Sequence, residues 1–160
     1  MAAEPRTLAD LFEHDTLGAP ENAVGFVLWR VVHRYVREID RALAPAGLTH
    51  LQFTVLATTA WMGRSSKTVT QVALARFSDI HPMQVSQMLK ALEGKGLVAR
   101  PRSETDTRAR RIEVTEAGVA ALRRSMPLAI AVQALLFGEA GKPGGDLLTA
   151  LLRIEGVKTG

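Results

Sequence analysis

Between Gly96 and Thr115 a chain otherwise patterned for helices breaks into two short strand-like runs, Leu97 to Arg100 and Arg110 to Val114, joined by a charged and polar loop. The second run alternates, with Ile112 and Val114 on one face and Arg111 and Glu113 on the other, which is the period of a half-buried strand. Such a pair predicts a two-stranded ribbon with a long tip. The fold expected is therefore mainly α with a small β-ribbon, an α+β arrangement. The ribbon is also basic: five arginines lie between Arg100 and Arg111, opposed only by Glu104 and Asp106. Formal charge is modest, +4, from 15 Arg and 5 Lys against 16 acids. Clustering on one surface matters more for nucleic-acid binding than net charge does. A basic run is also what an ordinary solvated face looks like, so composition alone leaves DNA binding open.

Around the ribbon the helices are legible from their apolar spacing. The first 20 residues read as a loosely attached arm, with Leu8, Leu11 and Phe12 at helical spacing. From about Glu21 to Leu43, Val24, Val27, Leu28, Val31, Tyr35, Ile39 and Leu43 recur with a 3.6-residue period, and Pro45-Ala46-Gly47 stops that helix. Thr49, with Gln52 three residues on, predicts a capping box and a helix running to Trp61. After a polar break, Thr70 is a suitable N-cap for a short helix through Leu74 and Phe77. The next helix is expected over Asp79 to Lys95, with Pro82 in its first turn, where an amide proton would be orphaned anyway. Its apolar side is Val85, Met88, Leu89 and Leu92; its other side carries Met83, Gln84, Gln87 and Lys90, and Gly96 is the expected left-handed cap. Thr115 caps a further helix, which Pro127 should kink or break. Gly138 to Gly145 is a glycine-rich joint before a last helix, Asp146 to Ile154.

A chain of 160 residues fits one domain with added dimerisation helices. Cysteine is absent, which excludes disulfides, thiolate metal sites and cysteine redox sensing. No apolar run is expected to reach the ~20 residues that cross a bilayer, and the N-terminus lacks a signal-peptide layout, so a cytoplasmic location with no membrane partner is expected. There is no glycine-rich phosphate loop and no paired His and carboxylate at useful spacing. Ser65-Ser66-Lys67 resembles a Ser-Lys nucleophile but lies in a polar connector. An enzyme is not expected, and no cofactor is implied. His14, His33, His50 and His81 are too scattered to suggest a metal site.

A short helix, a tight connection, a helix with small polar residues outward and a basic ribbon describe a winged helix-turn-helix. Several words of the sequence resemble the MarR family of transcriptional regulators, over about Val24 to Ile154. They are Ala46-Gly47-Leu48-Thr49 with Gln52-Phe53 and Val55-Leu56, Val69-Thr70-Gln71 with Leu74-Ala75, and Leu92-Glu93-Gly94-Lys95-Gly96-Leu97-Val98. The most specific is Asp106-Thr107-Arg108 followed, nine residues after Asp106, by Thr115-Glu116-Ala117-Gly118. The resemblance implies a DNA-binding lobe over residues 46–118, dimerisation helices over 21–45 and 119–160, and an N-terminal arm over 1–20, in one intertwined domain. It implies a homodimer on double-stranded DNA at a pseudo-palindromic operator, probed by Met83, Gln84, Ser86, Gln87 and Lys90 of the recognition helix. Gln84 and Gln87 can pair with adenine, Met83 can pack on a thymine methyl, and Lys90 suits a phosphate. In the wing, Arg108 would enter the minor groove with Asp106 orienting its guanidinium, while Arg100 and Arg110 suit phosphates or the strand base. Asp106 would equally serve by holding the ribbon tip through an arginine.

The apolar stretch Leu128 to Phe137 and the Leu147 to Leu152 side would leave a large patch on a monomer, which a two-fold partner would cover. Members of the family bind small aromatic or phenolic acids and are released from their operators. Trp29, Arg30, His33 and Trp61 are the candidate pocket for such an effector, with Arg30 or Arg64 as carboxylate partner; the alternative is that both tryptophans are core and His33 a satisfied polar residue. A winged helix used only as a protein-docking platform is the competing reading. It has no need of five arginines in the wing.

Overall fold

The structure, a computed structural model, describes residues 4–65, 68–101 and 111–156. The chain divides into two compact units, Met1–Arg37 and Glu38–Gly160. The first holds α1 (Pro5–His14), which starts on a proline and buries none of its residues, and most of α2 (Val24–Leu43). Within it, Val24, Trp29 and Val32 are all more than half exposed.

The second unit is organised on α3 (His50–Gly63). Its Phe53, Val55, Leu56 and Thr59 are buried, and it packs against α4, α5, α6 and the sheet. The end of α2 supplies Ile39 and Leu43, both fully buried. The Pro45 region then closes a single 3-10 turn, and Gly47 takes the left-handed conformation at φ +70° that ends it. The expected capping box opens α3: the Gln52 amide donates to Thr49 Oγ1 at 3.2 Å and the Thr49 amide donates to Gln52 Oε1 at 3.4 Å. One residue on, the His50 amide donates to Asp40 Oδ1 at 2.6 Å, tying the end of α2 to the start of α3.

The helix-turn-helix follows as α4 (Gln71–Ser78) and α5 (Pro82–Gly94). Thr70 caps α4 by accepting from the Ala73 amide at 3.2 Å, as its position predicts. The sequence expectation of a helix from Asp79 is corrected here. Asp79 sits at φ +51° as the left-handed end of α4, and α5 begins three residues later. Aspartate is one of the few side chains that tolerates that conformation, so Asp79, Ile80 and His81 form the turn.

The ribbon also differs from expectation. Three strands form, β1 (Val69–Thr70), β2 (Val98–Ala99) and β3 (Arg111–Val114), antiparallel in the order β1-β3-β2. Val69 pairs with Ile112 and Val98 with Val114. A strand of two residues carries no readable period, so β1 was invisible except as the β-branched residue before a helix cap.

α6 (Glu116–Phe137) is capped by Thr115, whose Oγ1 accepts from the Gly118 amide at 3.0 Å, and it runs unbroken through Pro127. The expected break does not occur. Proline removes one amide, which frees the Arg123 carbonyl, but Arg123 and Pro127 are both exposed, so water can satisfy it. With the 3-10 turn that follows, Glu116–Gly141 is long and apolar enough to cross a membrane by length and composition alone, which corrects the expectation that no segment reaches that length. Its Gly118, Ala121, Leu122, Ser125, Ala129 and Val132 are buried within the protein. The chain ends in α7 (Asp146–Glu155).

Gly118 explains the Thr115-Glu116-Ala117-Gly118 word in physical terms. A Cβ there would lie 2.1 Å from the Leu97 carbonyl oxygen and 2.7 Å from Val114 Cγ1. Only glycine lets α6 start so close to the turn before β2. Gly118→Ala should lower stability by roughly 3 kcal/mol, the upper end of overpacking costs, read as a lower urea midpoint at unchanged slope; an unshifted midpoint would remove the close-approach argument.

A second consequence concerns pH. Burial pushes the His50 imidazole below its ordinary value of 6.5, with the Asp40 charge pulling the other way. The unfolded chain then binds a proton that the folded protein resists, so stability should fall as pH drops through that value and recover above it. His50→Gln should flatten this part of the stability–pH curve; an unchanged curve would assign the dependence to other groups.

Candidate nucleic-acid interface

The residues of α5 divide cleanly. Val85, Leu89 and Leu92 are fully buried against α3 and α4, while Met83, Gln84, Gln87 and Lys90 are exposed and Ser86 is half-buried. A helix seated by one apolar stripe, with short polar side chains opposite, can enter a groove about as wide as a major groove. Met83 is 66% exposed.

Several contacts fix how α5 is presented. At its start the Met83 amide donates to His81 Nδ1 at 3.2 Å, so that nitrogen carries no proton in this arrangement. Gln71, the first residue of α4, donates from Nε2 to the Pro82 carbonyl at 3.3 Å. At the other end Lys95 Nζ donates to the Gly47 carbonyl at 2.6 Å and to Gln52 Oε1 at 2.8 Å, joining the end of α5 to the start of α3. Beyond it Gly96 takes φ +68°, as expected, and the chain turns into β2. Lys95 and Gln71 were not singled out in the sequence, because nothing local marks a lysine whose partners lie more than 40 residues away.

Arg100 is the basic residue at the end of β2. Its Nε donates to Glu93 Oε2 at 2.9 Å, a second guanidinium nitrogen shares that oxygen, and its side chain is only 17% exposed. It therefore ties the sheet to the last turn of α5. On β3 the Arg111 guanidinium meets Glu113 at 2.7 Å. Asp106, Arg108 and Arg110 lie outside the described residues, as does Arg102.

The effector candidates fall in two places. Trp29, Arg30 and His33 share a groove of about 700 Å³ on α2, lined also by Glu21, Arg34 and Arg37. The Trp29 and His33 rings stand 3.9 Å apart at 43°, and His33 Nδ1 lies 2.7 Å from the Trp29 carbonyl oxygen. Arg30 reaches Glu21 at 3.6 Å and lies 5.7 Å over the Phe26 ring. Trp61 belongs to the second unit, on the last turn of α3, where the Arg64 guanidinium lies 3.3 Å over its ring and donates to its carbonyl at 2.5 Å. The sequence reading had Trp61 as the end of a helix; its arginine partner follows from the i, i+3 spacing of a helical turn.

The turn before α5 constrains the residue at position 79, whose φ is +51°. Asp79→Val should destabilise by about 1–2 kcal/mol, because a β-branched residue does not tolerate positive φ, whereas Asp79→Gly should be neutral or better. Thermal midpoints of the two variants would separate this from loss of a carboxylate, which both share.

Residues 48–109 match the model of the MarR family. An uncharacterized HTH-type transcriptional regulator of Bacillus subtilis, YdcH, is 33% identical over 144 residues, covering 89% of this chain and 98% of that protein. Among solved structures, CouR from Rhodococcus jostii bound to p-coumaroyl-CoA matches with a TM-score of 0.70 at 26% identity, over 86% of this chain and 91% of the other. The transcriptional repressor CouR bound to a 23-mer DNA duplex matches at 0.69 and 28% identity, over 88% and 95%. With a relative matched over almost its whole length, and a helix-turn-helix seated beside a small antiparallel sheet, this chain belongs to the MarR family of DNA-binding transcriptional regulators.

Proposed function

We propose that the protein is a repressor that binds a pseudo-palindromic operator as a homodimer and is released by a small aromatic or phenolic anion. The observation that carries this reading is α5: a fully buried Val85, Leu89 and Leu92 stripe beneath an exposed row of Met83, Gln84, Gln87 and Lys90. Gln84 and Gln87 read base edges, Ser86 assists from the flank of the helix, and Lys90 meets phosphate. Asp106, Arg108 and Arg110 form the wing, with Arg108 in the minor groove. Arg100, held on Glu93, contributes at the strand base. The lobe over 46–118 carries these residues, and the helices over 21–45 and 119–160 carry the dimer.

Exposed apolar side chains on the terminal helices support two copies. Ile130, Leu135 and Ile154 are each more than half exposed, and a two-fold partner would bury them. Two recognition helices in such a dimer reach half-sites about one helical turn apart. The groove holding Trp29, Arg30 and His33 offers aromatic faces and arginines to an aromatic anion, and the similar protein CouR is bound to an aromatic acyl compound, p-coumaroyl-CoA; Trp61 is a separate aromatic candidate. A regulator of this kind works in the cytoplasm, where its DNA is.

Fluorescence anisotropy with duplexes from the region around its own gene tests the reading. Affinity should fall steeply with salt, and Arg108→Ala should weaken binding about tenfold while reducing the slope of log K on log salt by roughly one. Gln87→Ala should instead change the preference among duplexes. A folded Arg108→Ala protein that binds as tightly as the parent would remove the wing from the interface, and a salt-independent affinity would favour the protein-docking alternative.

A further inference from the structure

The methionines of this chain are unequally placed. Met62 and Met88 are half-buried, Met126 on α6 is 39% exposed and Met83 is 66% exposed; Met1 lies outside the described residues. Met83 stands in the first turn of α5, where its own amide is capped by His81 Nδ1 at 3.2 Å. Its thioether is therefore held out in water by an ordered turn, not by a frayed end. At helical spacing it points away from Val85, Leu89 and Leu92, which seat the helix.

The chain has no cysteine, so a thioether is the side chain that a mild two-electron oxidant converts reversibly, and its exposure sets how fast. We infer that Met83 is an oxidation site, and that its conversion to the sulfoxide by a hydroperoxide weakens DNA binding through α5. The sulfur lone pair attacks one peroxide oxygen. A sulfur–oxygen bond forms as the oxygen–oxygen bond breaks, and the attacked oxygen passes its proton to the departing one. Sulfur loses two electrons, and hydrogen peroxide leaves as water.

The product differs from the thioether in polarity more than in size. A thioether pressed on a base edge gives up little hydration. A sulfoxide brings a strong acceptor oxygen, and the thymine edge in the major groove offers only a methyl group and another acceptor, O4. Contact there strands the new oxygen without a donor. This rests on the DNA-reading role proposed for α5, and it has a reciprocal side. DNA that covers Met83 shields the sulfur, so binding and oxidation oppose each other.

The test uses the full-length protein, hydrogen peroxide quenched with catalase, peptide mass spectrometry, and anisotropy with a duplex from the region around its own gene. Sulfoxide should appear at Met83 before Met126, with the thermal midpoint unchanged. DNA affinity should fall at least about tenfold, and methionine sulfoxide reductases, not dithiothreitol, should restore it. Met126→Leu should lose affinity on treatment as the parent does, whereas Met83→Leu should bind equally before and after peroxide, whatever its starting affinity. Bound duplex should slow oxidation at Met83 and leave Met126 unaffected; this measurement decides even where Met83→Leu binds too weakly to titrate. Sulfoxide accumulating at Met126 as fast as at Met83, an unchanged affinity once Met83 is oxidised, an equal loss in Met83→Leu, or no shielding by DNA would each overturn the proposal. A protein that oxidises first at Met83 but binds no duplex before treatment would instead remove the DNA-reading role of α5 and keep the modification site.

Discussion

The arrangement of the second unit depends on one close approach, the backbone at Gly96-Leu97 against the first turn of α6. Thr115 Oγ1 donates to the Gly96 carbonyl at 2.6 Å, the Thr115 amide donates to the Leu97 carbonyl at 3.1 Å, and Gly118 leaves room for that same carbonyl. Three things are set at this point. α5 has just ended, β2 starts there, and α6 is set against both. A side chain at position 118 would push α6 away from the Leu97 carbonyl and from Val114 of β3.

The polar links around α5 follow a common logic. Each joins the end of one element to the end of another: Gln71 to the Pro82 carbonyl, Lys95 to Gly47 and Gln52, Arg100 to Glu93. Links made at the ends of elements fix how one element is oriented on the next. Exposed pairs of this kind add little stability individually. Their contribution is to geometry, holding an already packed helix at one angle.

Much of this was readable from sequence, and the failures share a cause. The caps at Thr49, Thr70 and Thr115 were legible because capping is local chemistry within four residues. The buried stripe Val85, Leu89, Leu92 and its polar opposite face were legible because a 3.6-residue period survives in one dimension. The start of α5 was misplaced because Asp79 and Pro82 both favour a helix N-terminus, and only the left-handed backbone at Asp79 tells that it ends α4 instead. Strand β1 was missed because Val69 acquires its strand identity only from Ile112, far along the chain. For Arg100 the sequence leaves phosphate and the strand base both open, because a partner seven residues back across a turn, Glu93, leaves no periodic trace. Of the kink or break expected at Pro127, the break fails because the rule about amides takes no account of whether the orphaned carbonyl faces water.

The shortness of the strands has an evolutionary side. β1 and β2 each contribute two residues to their ladders, and what holds them lies outside the sheet, in α3, in the Thr115 cap and in the Arg100–Glu93 link. Beyond Arg100, the ladder therefore asks almost nothing of the chain except that it return at Arg111. Doubling the length of such a loop adds only about 0.6 kcal/mol of closure entropy. Substitutions and insertions in a connection of this kind scarcely enter the folding energetics of the strands it joins, so its sequence and length can vary while the scaffold stays as it is.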